Sequence, residues 1–260
     1  MLMNRALLEK TSKKLANAFI KNKIISPIPD LFNKNIKNSI LLRKTCELKI
    51  NQPVIGFKAG GTAIPVLKKL GEKEPFIASI FKNNFLKNGK TVKINKYTLG
   101  IELEVCYLIK KNFFKNKNKI NLKNVSRFIS HMAPCIEVVG YRQKKKGIKY
   151  LGDICSDFGA NVKFLIGSKK KFKKINFGNL KTKIFHKKSG KSINGNTNTV
   201  YINPLNSLSF VLNKIKQDKI ILNKNFYVFT GSTVGVVPIK KKGFYKGIIQ
   251  SLGSVETKII

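Results

Sequence analysis

Two glutamates two residues apart stand in a stretch of the sequence that reads as a buried strand. Glu102 and Glu104 lie in the apolar run 100–109, although the chain holds 12 acidic residues against 52 basic ones. Side chains at positions i and i+2 of a strand point to the same face, so the two carboxylates are expected side by side. Two carboxylates about 4 Å apart repel by roughly 4 kcal/mol at an effective dielectric near 20. Burial adds to that cost, so such a pair needs a bound cation, a shared proton or basic partners.

A third carboxylate lies in a second apolar run. Glu137 stands within residues 133–139, which also read as a buried strand. Three carboxylates on two strands make a plausible all-oxygen site for a hard divalent metal such as Mg²⁺. The competing interpretation, a buried glutamate pair satisfied by lysines, stays open at this point.

The elements that must position these carboxylates follow from hydrophobic periodicity. Helical spacing favours helices over 5–22, 37–49, 62–70, 122–132, 148–157 and 204–215. Apolar or alternating runs favour strands over 53–60, 98–109, 133–141 and 161–167, a hairpin within 182–202 with Gly190 and Asn194-Gly195 as its turn signals, and several short strands beyond 225. The pattern predicts an α+β fold, with a helical part at 1–90 packed on a β-rich catalytic core at 91–260, as one structural unit.

The net charge of +40 invites a nucleic-acid partner. The basic residues are nearly all lysine, with arginine only at Arg5, Arg43, Arg127 and Arg142, whereas readers of bases and phosphates favour arginine. Lysine, asparagine and isoleucine are abundant together along the whole chain. The positive charge therefore reflects the composition of the whole chain and not one basic binding face. We therefore expect no nucleic-acid partner, and a basic nucleic-acid-associated protein is the alternative outside enzymes.

Apolar runs, the first residues and the cysteine spacing indicate the cellular location that we expect. No apolar run approaches 18 residues, so we expect no membrane partner, and the first residues lack a signal-peptide pattern. The four cysteines have no C-x-x-C spacing, which favours buried free thiols in a reducing, cytoplasmic location.

Several short blocks, in the same order along the chain, resemble the fumarylacetoacetate hydrolase superfamily. More narrowly, they resemble the branch that contains 2-keto-4-pentenoate hydratase and 4-oxalocrotonate decarboxylase. The blocks are Glu102-x-Glu104 followed by 133–142, Gly-Phe-Lys-Ala-Gly at 56–60, 153–157 with Gly167, Asn203-Pro204 and its helix, Phe-Thr-Gly-Ser at 229–232, Val237-Pro238, and Leu-Gly-Ser-Val at 252–255.

The resemblance implies a mixed β-roll or sandwich core like the C-terminal domain of that superfamily, and a homo-oligomer. It implies a divalent metal, Mg²⁺ or Mn²⁺, held by Glu102, Glu104 and Glu137. The substrate class would be a small unsaturated 2-oxo acid. A metal on the 2-oxo oxygen stabilises a developing enolate, and hydration and loss of CO₂ both pass through that species.

The resemblance also implies further site residues. Lys58 would face the substrate as a carboxylate partner or proton shuttle, and a surface lysine is the alternative. Ser232 and the Gly231 amide would bind a substrate carboxylate, unless they form a plain turn. Arg142 would bind substrate, or pair with an acid such as Asp157.

We expect a divalent-metal-dependent lyase of aromatic-compound catabolism. The first expectation is the hydratase that converts 2-hydroxypenta-2,4-dienoate to 4-hydroxy-2-oxopentanoate, with Lys58 and Glu104 as catalytic residues. The alternative is a 2-oxo-3-hexenedioate (4-oxalocrotonate) decarboxylase. Two departures bear on the choice, because Asn83 stands where hydratases of this branch carry an acid, and Phe158 replaces an asparagine. A histidine-based hydrolytic site is not expected, because the resemblance implies a water-activating histidine in the N-terminal portion and no histidine occurs before His131.

Overall fold

The computed structural model describes residues 4–260, which form two β-sheets and five α-helices. The helices are α1 (Arg5–Ile20), α2 (Ile36–Glu47), α3 (Ile64–Lys69), α4 (Leu151–Ser156) and α5 (Pro204–Gln217). The strands are β1 (Val54–Gly60), β2 (Phe76–Phe81), β3 (Phe85–Lys87), β4 (Thr91–Val92), β5 (Thr98–Ile109), β6 (Ile129–Gly140), β7 (Asn161–Ile166), β8 (Lys170–Lys171), β9 (Lys181–His186), β10 (Ser192–Asn196), β11 (Phe226–Ser232), β12 (Gly243–Ile249) and β13 (Gly253–Ile259). None of the helices within this range is long and apolar enough to cross a bilayer.

The larger sheet has the strand order β2-β1-β11-β5-β6-β7-β3, with β8 paired to β6, and the smaller has the order β10-β9-β12-β13-β4. Three pairs, β1 with β11, β3 with β7 and β13 with β4, are parallel and the remaining pairs are antiparallel. The expected α+β architecture with a mixed β core is confirmed.

Alternation along β5 separates the hydrophobic core from the chemistry. Ile101, Leu103 and Val105 are fully buried in the main core, which also takes in strands of the smaller sheet and α5. Because successive residues of a strand point to opposite faces, Glu102 and Glu104 project from the other face of the larger sheet. One strand therefore supplies the main core on one side and carboxylates on the other.

The helical N-terminal part is anchored to the larger sheet by a second hydrophobic cluster. Leu15 and Phe19 of α1 and Leu42 of α2 pack there with Phe81 of β2. Asparagine side chains cap the first turns of α1, α2 and α5, which satisfies backbone N–H groups that a helix start leaves free. Strands β1–β3 come from the first 90 residues, so this part also contributes three strands to the sheet.

One local prediction was wrong, and another was right only in part. The expected helix at 122–132 is a short 3₁₀ turn, Val125–Phe128, followed directly by β6. The apolar spacing there matched a helix, but pairing with β5 along its length offers many more hydrogen bonds and prevails. The predicted hairpin forms from β9 and β10, with its turn at Gly190, whose φ is +66°; the other turn signal, Asn194-Gly195, lies inside β10.

Candidate metal centre and active-site cavity

The structure brings the three glutamates together on one face of the larger sheet. In the antiparallel β5–β6 pair, Glu102 lies directly opposite Glu137, and Glu104 follows two residues along β5. One carboxylate oxygen of each lies within 4.8 Å of the others. Glu104 and Glu137 are fully buried. Strand pairing alone therefore creates a cluster of three acidic groups in a low-dielectric setting.

Lys58 reaches the cluster from β1, on the far side of β11. Its neighbours Phe57 and Ala59 face the main core, so Lys58 points to the face that carries the glutamates. Its Nζ lies 2.5 Å from Glu137 Oε1 and donates a second hydrogen bond to the Gly159 carbonyl at 3.0 Å. Lys58 is only 4% exposed, so this is a buried, specifically oriented ammonium group.

One ammonium does not neutralise three carboxylates. Burial raises the pKa of Glu104 well above its usual value, the charges of Glu137 and Glu102 raise it further, and Lys58 opposes the shift. Burial, with the Glu137 charge, raises the pKa of Glu102 to about 7. Burial also raises the pKa of Glu137, against the pull of Lys58. Burial lowers the pKa of Lys58, but the three carboxylates outweigh it and raise the pKa overall.

The residues present fit a hard divalent cation. Glu104 Oε1 and Glu137 Oε2 are buried and have no hydrogen-bond partner, although buried polar atoms nearly always have one. The donor set is all oxygen, as Mg²⁺ and Mn²⁺ prefer. A divalent cation at this cluster would balance the excess negative charge and occupy the free oxygens.

A bulge in β11 orients Glu104. The β5–β11 register shifts between Phe229 and Ser232, and Gly231 inside the bulge has a φ of +109°. Its N–H donates to Glu104 Oε2 at 2.8 Å. A Cβ at this position would lie 2.0 Å from Thr62 Oγ1. Only glycine fits there, and its amide is committed to the carboxylate.

A cavity of about 370 Å³ opens above this cluster. Among the described residues that line it, the titratable side chains are Lys58 and Glu102. The exposed residues that line it carry no charge; among them are Val66, Ile148, Val236, Asn194 and Thr199. The cavity thus has a charged inner end and an uncharged outer end.

The remaining predicted site residues lie in different places. Ser232 lines the cavity, and its hydroxyl donates to the Gly235 carbonyl at 2.8 Å. The Gly231 amide already serves Glu104, so it is not free for a substrate carboxylate. Arg142 is not among the lining residues; its Nη1 lies 2.9 Å from Asp157 Oδ1, which is the pairing expected as the alternative to a substrate contact.

The two departures from the family blocks also lie outside the cavity lining. Asn83 is exposed in the turn after β2, where its carbonyl accepts a hydrogen bond from Lys163. Phe158 is fully buried against Phe19. Neither side chain is placed to transfer a proton in the cavity, and the same holds for His131 and His186. All four cysteines are buried and free, as expected.

Sequence reasoning missed one element of the site, the turn at 157–160. The backbone carbonyl of Gly159 holds Lys58, and Gly159 and Ala160 line the cavity. Phe158, Gly159 and Ala160 all have positive φ, at 53°, 70° and 56°. Of these three residue types only glycine readily adopts a positive φ. The sequence therefore did not indicate that Phe158 and Ala160 would adopt this conformation.

Comparison with solved structures places this geometry in a known fold. A 4-oxalocrotonate decarboxylase from Pseudomonas putida G7, complexed with magnesium and adipate, superposes with a TM-score of 0.86 at 18% identity over 99% of both chains. A fumarylacetoacetate hydrolase family protein from Yersinia pestis CO92 has a TM-score of 0.55 at 17% identity, over 81% of this chain and 95% of that one. The chain has the fumarylacetoacetate hydrolase fold.

A third solved structure has a similar fold, and two sequence comparisons found no match. A fumarylpyruvate hydrolase from Pseudomonas aeruginosa, in complex with Mn²⁺ and pyruvate, shares the fumarylacetoacetate hydrolase fold at 14% identity and a TM-score of 0.59, over 80% of this chain and 91% of that one. No protein-family model matches the sequence, and no curated protein matches it either. The solved structures therefore confirm the fold that the short blocks imply.

Proposed function

We propose that this chain is a divalent-metal-dependent lyase of a small unsaturated 2-oxo acid. The observation that carries the proposal is the convergence of Glu102, Glu104 and Glu137 within 4.8 Å, beside a cavity that Glu102 and Lys58 line. Solved structures of this fold hold magnesium with adipate and Mn²⁺ with pyruvate. These complexes support Mg²⁺ or Mn²⁺ as the cofactor.

The three glutamates would hold the metal. When bound, it supplies Lewis-acid polarisation of the 2-oxo group of the substrate. Lys58 stays protonated, since three carboxylates raise its pKa. Two hydrogen bonds, to Glu137 and to the Gly159 carbonyl, account for two of its three protons. The third is available to a substrate oxygen, and we assign Lys58 this donor role.

The outer cavity favours decarboxylation over hydration. When 2-oxo-3-hexenedioate loses CO₂, the electron pair of the broken C5–C6 bond moves through the conjugated chain to the 2-oxo oxygen, which then takes a proton. No acid or base is required at the far end. Adding water across a double bond requires groups there that activate water and protonate carbon. The titratable lining residues, Lys58 and Glu102, both belong to the inner end.

We therefore place carboxy-lyase activity of the 4-oxalocrotonate type first. The similarity in fold to a 4-oxalocrotonate decarboxylase supports the same choice. Hydration of 2-hydroxypenta-2,4-dienoate, the first expectation from the sequence, would use the same inner site and is measured in parallel.

The test compares Glu104→Gln with wild type. Both proteins are assayed in Mg²⁺ for loss of 2-oxo-3-hexenedioate with release of CO₂, and for consumption of 2-hydroxypenta-2,4-dienoate. We expect the wild type to decarboxylate 2-oxo-3-hexenedioate. Glu104→Gln should lower this activity by at least about 100-fold, which is the upper end of the losses seen when a residue that supports a metal is replaced. Glu74→Gln is the control, because Glu74 is an exposed acid paired with Lys214. A wild type that turns over neither compound in Mg²⁺ refutes the proposal, whether or not it binds the metal.

A further inference from the structure

The turn that carries Gly159 is held in a conformation that its sequence disfavours. Phe158 and Ala160 have φ values of 53° and 56°, in the left-handed region that side chains with a Cβ rarely adopt. Two such residues flanking a glycine persist only when the surroundings fix them. Phe158 and Ala160 are 0% and 2% exposed.

A buried polar network fixes both ends of this turn. Arg142 donates from its backbone N–H to Asp157 Oδ2 at 2.8 Å and from Nη1 to Asp157 Oδ1 at 2.9 Å, and its Nη2 donates to the Asn161 carbonyl. The Asn161 Nδ2 group donates to the Phe158 carbonyl at 2.6 Å. The residues before and after the turn are thereby tied to one guanidinium group.

Aromatic packing fixes the middle of the turn. The Phe158 ring centroid lies 4.4 Å from that of Phe19 in α1. The Arg142 guanidinium carbon lies 5.0 Å from the Phe19 ring and 5.4 Å from the Phe158 ring. The N-terminal helix therefore reaches the turn through one aromatic contact.

The turn lines the cavity with Gly159 and Ala160, and it contacts the charged residues of the site through Lys58. The Gly159 carbonyl accepts the Lys58 hydrogen bond at 3.0 Å, and a Cβ on Gly159 would lie 3.3 Å from Lys58 Cδ and 3.0 Å from Ala78 Cβ. Both the ammonium group and the alkyl chain of Lys58 rest on this one residue. A shift of the turn would move Lys58 relative to Glu137.

We propose that the 157–160 turn is a positioning element for Lys58, with Arg142, Phe158 and Phe19 acting through the Gly159 carbonyl. This inference rests on the proposed function, in which Lys58 donates to the substrate. It gives buried Phe158 and Arg142 a role in the site although neither residue lines the cavity.

The test is a double-mutant cycle between Gly159→Ala and Lys58→Met. Gly159→Ala adds one methyl group that presses on the Lys58 chain at a φ of +70°. Gly71→Ala is the matched control, because Gly71 has a φ of +73° and no atom within 4 Å of the added Cβ. The readouts are kcat in Mg²⁺ and the Mg²⁺ Kd measured by calorimetry without substrate.

We expect Gly159→Ala to lower kcat and to shift the Mg²⁺ Kd, each several-fold, because the added Cβ would lie 3.3 Å from Lys58 Cδ and displace that side chain by a few tenths of an ångström. In the Lys58→Met background it should leave the Kd unchanged, and Gly71→Ala should change neither quantity. A Kd shift of equal size in both backgrounds, or an unchanged kcat in Gly159→Ala, overturns the inference.

A failure of the proposed function can be distinguished from a failure of the positioning role by measuring turnover and Mg²⁺ binding separately. If the wild type binds Mg²⁺ but turns over no 2-oxo acid, the proposed reaction fails and the Kd cycle still decides the positioning role. If it binds no Mg²⁺, the same cycle is read from urea unfolding. Non-additive effects then support the contact between the turn and Lys58, and additive effects overturn it.

Discussion

Replacing Glu102 by glutamine should stabilise the metal-free protein above neutral pH. Burial and the Glu137 charge, opposed by Lys58, raise the pKa of Glu102 from 4.5 to about 7. Since a tenfold change in proton affinity corresponds to about 1.4 kcal/mol, ionised Glu102 costs the folded state roughly 3 kcal/mol. The folded pKa lies above the unfolded one, so the protonated form favours folding. Below about pH 4.5 Glu102 is protonated in both states and the cost is absent. The cost grows as the pH rises and is complete above about pH 7.

The assay is urea unfolding in a chelator at two pH values, followed by excess Mg²⁺. Roughly 2 kcal/mol of the cost develops between about pH 5.5 and about pH 8, so the advantage of Glu102→Gln over wild type should grow by that amount. Adding Mg²⁺ at about 100 times its Kd should stabilise the wild type by about 2.7 kcal/mol and the variant by much less.

Two results would refute this reasoning. One is a metal-free wild type whose stability relative to Glu102→Gln does not depend on pH, because the carboxylate would then carry no buried charge. The other is equal stabilisation of both proteins by Mg²⁺, because Glu102 would then not be a ligand. Glu74→Gln, at an exposed ion pair, controls for loss of a carboxylate elsewhere.

Four further predictions concern Lys58, Gly231, Tyr107 and the net charge of the chain. Lys58→Met should abolish turnover and destabilise the fold by about 3–5 kcal/mol, because it leaves buried Glu137 without its cation; wild-type kcat in this variant would exclude a catalytic role. Gly231→Ala should lower the free energy of unfolding by more than about 2 kcal/mol, since its Cβ would strike Thr62, and wild-type stability in chemical denaturation would contradict the bulge geometry. Tyr107→Phe should change stability by less than about 1 kcal/mol, because the buried hydroxyl has no partner; a larger loss would indicate a partner. With a net charge of +40, kcat/KM for an anionic substrate should fall as salt rises while kcat stays constant, and a salt-independent kcat/KM would exclude electrostatic steering.

The carboxylate cluster was the most predictable part of the site. A period of two along β5 places Glu102 and Glu104 on one face, and β5 was predicted with its observed bounds, Thr98–Ile109. Its long apolar alternation has no helical alternative. The pairing of Glu102 with Glu137 depends on strand register, which apolar runs alone do not determine.

Other parts of the site depend on contacts distant in the chain. Lys58 meets Glu137 only because β11, from the end of the sequence, lies between β1 and β5. The turn at Gly159 depends on Arg142 and on Phe19 of the first helix. Tertiary contacts overrule local preference in each case, as they did for the expected helix at 122–132, and single-residue propensities carry no information about them.

The two sides of the site have separate structural origins, and this separation has an evolutionary consequence. The three acidic groups belong to two adjacent strands, whose spacing is set by backbone pairing. The mouth of the cavity comes from other segments, with Val66 in α3, Ile148 in a loop and Val236 after β11. Surface loops tolerate substitution better than paired strands do. Lineages that share these paired strands can therefore diversify in the compounds they accept by altering the mouth, while the inner chemistry is inherited unchanged.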